Sequence, residues 1–328
     1  MIVYFDNAAT SLRSKELVEA YCEALSKELN PRELKKETLI LLTKFLGGKP
    51  ENYYLVPNAT YAANEIAHYL PKELGVYLST SEHSSNHAIW LSLYSSINYF
   101  NYQDLLKLEL PKERSIFSLS LMTNLDGLEH SLEKIEEKFK DTPHILILDI
   151  SQYIQHKVIR SKRADFLFFS AHKCFGPNGL GVIYAREGMI WDKENYDLDW
   201  CALYAWNEAL PTIVANLTSS AWAKQESELN KYFITNFPNN EYLELLNKDT
   251  KGCIFLIRVK KEITAHDYVF YLAKKEVLVR SGLSCSWLSA ERYDPKEIFR
   301  ASLNAQNTIE EINYFFDVIR DFKLSDCL

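Results

Sequence analysis

The feature that most limits what this chain can fold into is a series of short apolar runs that do not alternate with polar residues. They are YYLV (53–56), VYLS (76–79), IFSLS (116–120), ILILD (145–149), FLFFS (166–170) and GVIYA (181–185). A strand with one wet face alternates, whereas a strand covered on both faces is apolar at successive positions. Helical patterns fall between the runs. Asn30, Pro31 and Glu33 read as an N-cap, a proline at the first helical position and a capping glutamate. Leu34, Thr38, Leu41 and Phe45 then line one face, and Gly47-Gly48 supplies the stop. SLEKIEEKFK (131–140) places Leu132, Ile135 and Phe139 at helical spacing. This alternation predicts an α/β fold whose large domain is a mostly parallel sheet flanked by helices.

The last third has a different texture. IFLIRV (254–259), VLVR (277–280) and IFRASL (298–303) read as strands, with a helix around 265–275. A second helix opens at Thr308 with Glu311 in a capping box and carries Ile309, Ile312, Phe316 and Ile319 on one face. A large domain over 1–215 and a smaller C-terminal α/β domain over 216–328 are expected, with segment 1–30 able to pack with the small one. A length of 328 residues suits two domains.

Composition narrows the function classes. With 47% hydrophobic and 25% charged residues, the chain is a globular rather than a disordered sequence. A net charge of −7 argues against a general nucleic-acid or anionic-membrane surface. The densest basic stretch, 156–163, reads as a solvated connection between strands. No apolar run is long enough to span a bilayer, and MIVYFDNAAT has neither the basic nor the apolar part of a secretory signal. The six cysteines show no CxxC spacing and no disulfide-scaffold density, which predicts a reduced, cytoplasmic protein. Five of them, at 22, 174, 201, 253 and 327, read as small buried hydrophobes.

Reactive residues in an open parallel sheet gather just beyond the carboxyl ends of its strands. ILIL ends in Asp149 with Gln152 three residues on, and FLFFS ends in Ser170, Ala171, His172 and Lys173. YYLV leads to Asn58, Ala59 and Thr60 at a helix start, where free N–H groups favour a phosphate. A lysine that can form an imine, a carboxylate that can keep a pyridine nitrogen protonated and donors for a phosphate are what an electron-sink cofactor requires. Three of the chain's ten glycines, Gly176, Gly179 and Gly181, follow Lys173 within a few residues and suit a tight turn. His83 and His87 are four apart, but no HExxH pattern or cysteine cluster accompanies them, so no metal is expected.

The ordered set of motifs resembles the cysteine desulfurases and selenocysteine lyases, within the class-V aminotransferase-like group of fold-type I pyridoxal 5'-phosphate (PLP) enzymes. YFDNAATS (4–11) is similar to the family's opening motif, NATYAAN (58–64) to its phosphate-binding turn and SEHSSNHAIW (81–90) to the segment bearing the ring-stacked histidine. SLMTNLDG (120–127) resembles the asparagine segment, DISQ (149–152) the pyridinium-aspartate segment and SAHKCFGPNGLGVIY (170–184) the Schiff-base segment. RSGLSC (280–285) is similar to the short catalytic-cysteine loop, and FRASLNAQNTIEEI (299–312) to the substrate-carboxylate arginine segment.

The resemblance implies PLP as cofactor and L-cysteine as substrate. It implies that Lys173 carries the cofactor and moves the Cα proton, that Asp149 pairs with the pyridinium and that His83 stacks on the ring as an acid/base. Asn124 and Gln152 would contact the 3'-oxygen and its polar surroundings, with Asn124 also near the substrate. Ala59, Thr60, Ser170 and His172 would hold the phosphate. Arg300 would bind the substrate carboxylate, and Cys285 would attack the substrate sulfur and pass a persulfide to an acceptor protein. A homodimer is implied as well.

This chain departs from the family pattern at four places, one of them the segment after Asn30-Pro31, which is abbreviated. Leu283 and Ser284 stand where many relatives have histidines before the cysteine. Residues 186–208 form a shorter stretch without the relatives' glycine-rich loop. WNEALPTI (206–213) replaces an EAGTPN-like sequence whose threonine reaches the partner subunit's PLP phosphate. Rival readings are a selenocysteine lyase, a Cβ–S lyase or an aminotransferase of the same fold, and a degenerate scaffold that binds partners without turnover.

Overall fold

Adjacent apolar runs become adjacent strands. The computed structural model describes residues 2–189, 197–260 and 263–326. After β1 (Val3–Tyr4) come α1 (Lys15–Ala24) and α2 (Pro31–Leu46). Asn30 caps α2 by accepting from the N–H groups of Arg32 and Glu33. The buried face of α2 is Leu34, Thr38, Leu42 and Phe45, so Leu42 takes the place expected of Leu41. Next are β2 (Tyr53–Val56), α3 (Ala59–Tyr69), β3 (Gly75–Ser79), α4 (Ser84–Leu93) and β4 (Ile97–Phe100). They lead to β5 (Ser115–Ser120), α5 (Leu132–Phe139), β6 (Ile145–Asp149), β7 (Phe166–Ser170), β8 (Gly181–Ala185) and α6 (Trp200–Thr218). The remainder is α7 (Ala221–Asn236), β9 (Leu243–Leu245), β10 (Ile254–Val259) and α8 (Ala265–Lys274). It ends with β11 (Val277–Leu278), β12 (Arg280–Ser281), β13 (Ile298–Ser302) and α9 (Ile309–Arg320).

The chain divides into two compact units: residues 13–122 with 129–219, and residues 1–12 with 123–128 and 220–328. The first is built on a seven-stranded sheet in the order β2-β8-β7-β6-β5-β3-β4. Strands β7, β6, β5, β3 and β4 run parallel, and β8 runs antiparallel to both neighbours. Every residue of β5, β6 and β7 is buried, which is why these runs show no alternation. Ile116, Ile145, Ile147, Phe166 and Phe168 pack in one core with Ala62, Ala63 and Ile66 of α3. The mostly parallel sheet flanked by helices is the fold class expected from sequence. The edge strand β4 carries no such signal, because INYF is half wet.

In the second unit an antiparallel sheet runs β12-β13-β10-β9, and β1 pairs with β11 in parallel. The run VLVR splits because the chain changes partner within it: Val277 and Leu278 pair with β1, while Arg280 pairs with Arg300 of β13. An aromatic core holds the sheet to α7 and α9, with the rings of Phe233 and Phe255 stacked at 3.8 Å and Phe315 and Phe316 around them. The Thr308–Glu311 capping box is present, with Ile312, Phe316 and Ile319 buried and Ile309 left half exposed.

Residues 123–128, though preceded by β5, are part of this second unit. Leu125 packs with Leu256 and Ile298, Asn247 donates to the Asp126 carbonyl at 2.8 Å, and Arg292 pairs with Asp126 at 3.2 Å. Gly127 has a φ of +65°, and a Cβ there would meet Ile254 at 3.0 Å.

Candidate active site

Parallel pairing puts the ends of β6 and β7 side by side, with Asp149 opposite Phe168. The Asp149 carboxyl is buried and accepts from the Ser151 N–H at 2.9 Å. Burial pushes its pKa above the ordinary carboxylate range, while hydrogen bonding from Ser151 and the charge of Lys173 pull it partly back. Lys173 therefore acts electrostatically on Asp149 from the single helical turn (Ala171–Lys173) that follows β7. Gln152 is buried in the turn after β6.

Ser170 ends β7 and lies opposite Gly181 of β8. Its hydroxyl accepts from the Ala59 N–H at 2.8 Å, tying β7 to the start of α3. Only glycine fits at 181, because a Cβ would come within 2.7 Å of the Asn58 carbonyl carbon. In the first turn of α3, Asn58 accepts from Tyr61 N–H at 2.9 Å, and Thr60 stays exposed beside it. His172 is partly buried, and burial, followed by the cations Lys173 and Arg13, depresses it to about 4. It is a neutral imidazole at pH 7.

His83 caps α4. Its Nδ1 accepts from the Ser85 N–H at 3.2 Å, which puts the proton of the neutral ring on Nε2. The residue before it, Glu82, received no role from the sequence. Its buried carboxylate accepts from Ser79 Oγ at 2.6 Å, Asn86 Nδ2 at 2.9 Å, Ser120 N at 2.9 Å and Ser120 Oγ at 2.6 Å. It thus joins the ends of β3 and β5 to α4, directly before the ring of His83. Burial raises its pKa against those bonds. His87 instead bonds Tyr99 at 2.7 Å through Nε2, a structural contact, and among the described residues no cluster suits a metal.

The second unit holds Asn124, Cys285 and Arg300. Arg300 is fully buried in β13, where Nη2 pairs with Asp6 at 2.7 Å and Nη1 donates to the Asn124 carbonyl at 2.6 Å. Its Nε–H has no partner among the described residues. Burial lowers its pKa, Asp6 opposes that, and Arg280 adds to it. Asp6 also grips Arg280, through Nε at 3.0 Å and Nη2 at 2.6 Å. Asp6 lies within the YFDNAATS motif, and its only sequence cue is an acidic residue just after a short strand.

Cys285 is exposed with a φ of +67°, following Ser284 at +49°. Of the other cysteines, Cys174 and Cys253 are buried with thiol pKa values pushed up by burial. Cys22 is exposed on the wet side of α1 and Cys201 is partly exposed, so neither is the buried hydrophobe expected. Cys327 lies outside the described residues. The 206–213 stretch is helical: it lies within α6, with Leu210 buried and Pro211 on the wet side. Of the short stretch 186–208, residues 190–196 lie outside the described ones.

Known proteins resemble this chain along nearly its whole length. A probable cysteine desulfurase of Ureaplasma parvum is 24% identical over 99% of this chain and 94% of its own length. One of Borreliella burgdorferi is 25% identical over 96% and 90%. The apo structure of a cysteine desulfurase from Thermococcus onnurineus superposes with a TM-score of 0.86 at 22% identity, covering 98% of this chain and 94% of that one. The family model for class-V aminotransferases matches residues 3–193 and 199–315. With the parallel sheet and its strand-end lysine and aspartate in place, the chain belongs to the class-V aminotransferase family, whose members are PLP-dependent.

Proposed function

We propose that this protein is a PLP-dependent cysteine desulfurase that converts L-cysteine to L-alanine and leaves the sulfur as a persulfide on Cys285. The observation that carries the reading is the buried Asp149 carboxyl and the Lys173 charge at the ends of neighbouring parallel strands. A buried carboxyl held above its ordinary range favours a cationic partner, and a pyridinium nitrogen supplies one. The exposed start of α3, the Ser170 hydroxyl and neutral His172 fit a phosphate. When bound, PLP supplies an electron sink for charge developing at the substrate carbons.

The chain's own groups have the following roles in this reading. Lys173 holds the cofactor and moves the Cα proton through Nζ. Asp149 keeps the ring nitrogen protonated, with Gln152 in the surrounding polar network. Ala59, Thr60, Ser170 and His172 hold the phosphate. His83, with its proton on Nε2, stacks on the ring and serves as an acid/base. Arg300 offers its unpartnered Nε–H to the substrate carboxylate, a buried donor otherwise costly to leave unmet. One hydrogen of the Asn124 amide remains for the cofactor's 3'-oxygen. Cys285 thiolate attacks the substrate Sγ. The S–S bond forms as the Cβ–S bond breaks, the carbon keeps the electron pair and takes a proton, and alanine results.

The reading extends to a cytoplasmic homodimer that passes its persulfide to an acceptor protein. Five reduced cysteines among the described residues support the compartment, and no described helix is long and apolar enough to cross a membrane. The RSGLSC turn is short, so the acceptor comes to Cys285. Purified protein with PLP and L-cysteine should release alanine and sulfide together under a reducing thiol. Cys285→Ala should lose the sulfide. Sulfide release that survives Cys285→Ala would favour a Cβ–S lyase instead.

A further inference from the structure

The carboxylate and the sulfur of L-cysteine are three bonds apart. A protein that grips the carboxylate with one side chain and attacks the sulfur with another must hold the two at a fixed spacing. In the second unit, one residue bonds Arg300 and both neighbours of Cys285. The Asn124 carbonyl accepts from Arg300 Nη1 at 2.6 Å. Its side-chain Nδ2 donates to the Ser284 carbonyl at 2.6 Å, and its Oδ1 accepts from Ser286 Oγ at 2.6 Å. Those two bonds fall on the residues either side of Cys285. Asn124, Ser286 and Arg300 are all buried, whereas the cysteine between the clamped residues is exposed.

The turn needs such a restraint. Ser284 and Cys285 are consecutive non-glycine residues with positive φ, a conformation that L-residues leave unless their surroundings hold them there. Inside the turn the Ser286 N–H bonds the Leu283 carbonyl at 2.9 Å, and at its start the Gly282 N–H bonds the Ile298 carbonyl at 2.8 Å. Asn124 in turn is fixed by the packing of 123–128 described above, and Thr123 closes that segment by bonding Asp126 at 2.6 Å. The clamp requires a donor and an acceptor on one planar group, which an amide has and a carboxylate lacks.

We propose that Asn124 is a positioning residue that locks the Cys285 turn in its left-handed form and sets the spacing between Cys285 and the Arg300 guanidinium. This deepens the desulfurase reading and rests on it. Ser286 is the second half of the same clamp.

The test uses the full-length protein as wild type, Asn124→Ala, Ser286→Ala and the double variant. Hydrogen exchange of peptides covering 281–287 and the rate of iodoacetamide alkylation at Cys285, both read by mass spectrometry, report the turn without reference to turnover. Either single variant should speed exchange of the turn by about tenfold. Alkylation at Cys285 should change severalfold, in the same direction in both. The double variant should go no further than Asn124→Ala, because both remove one clamp. Ser286→Ala, the milder change, should lower kcat for sulfide release with KM for L-cysteine unchanged. Folded single variants with wild-type exchange and alkylation overturn the clamp and leave the desulfurase reading standing. Exchange that rises equally in β10 and β13 also overturns it, since the effect is then general destabilisation. A wild-type protein that releases no sulfide from L-cysteine overturns the desulfurase reading, and the functional half of the clamp with it.

Discussion

The ends of β6 and β7 and the turn around Cys285 hold reactive groups by opposite means. At the strand ends, Asp149 and Ser170 are fixed by regular ladder pairing, and their surroundings are buried. Chemistry there is set by burial, which lifts the Asp149 carboxyl and drops His172 to about 4. The Cys285 turn has no ladder. It keeps an exposed thiol in a disfavoured backbone form, with one amide donating to Ser284 and accepting from Ser286. A site built on register is robust to its side chains and tuned by dielectric. A site built on a clamp is exposed enough to react but depends on a single distant residue.

That contrast can be broken first at Lys173. Lys173→Ala should lower alanine formation by about 10⁴-fold, the upper range for removing a positioned acid/base, while leaving the melting temperature near wild type. Asp149→Asn should follow at about 10³-fold, because a full charge contact near 4 Å is worth about 4 kcal/mol at an effective dielectric of 20. It should also weaken PLP retention, measured by dialysis and absorbance.

Next comes His172, whose folded pKa is depressed from 6.5 to about 4. Between those values the unfolded chain binds a proton that the folded one refuses, so stability should fall as pH drops from 6.5 to 4. The loss in the PLP-free protein is on the order of 3 kcal/mol, and His172→Gln should flatten that part of the urea-stability profile against pH. Gly181→Ala, which drives a Cβ against the Asn58 backbone, should cost about 2 kcal/mol in the same measurement. The smallest effect sharpens the clamp's side of the contrast. Cys22→Ser removes the other exposed thiol among the described residues and should leave sulfide release within about twofold of wild type, as surface changes usually do.

The same contrast explains what the sequence disclosed. The six buried runs, Asp149 and the residues after FLFFS are legible because a covered parallel strand and its carboxyl end are local patterns. Edge strand β4, with its half-wet pattern, is not legible in that way, nor is the helical form of 206–213, whose Pro211 sits on the wet side of α6. Glu82 and Asp6 escaped because an acidic residue near a strand end has many ordinary uses. Their significance appears only when four donors converge on Glu82 and two arginines on Asp6. Asn124 and Ser284 are 160 positions apart, a pairing no local pattern announces.

Borohydride reduction of the PLP-loaded protein, followed by peptide mapping, tests the central claim most directly. One pyridoxyl group should appear on the peptide carrying Lys173, and none in Lys173→Ala. A label on another lysine, or no label on a folded protein, would contradict the account.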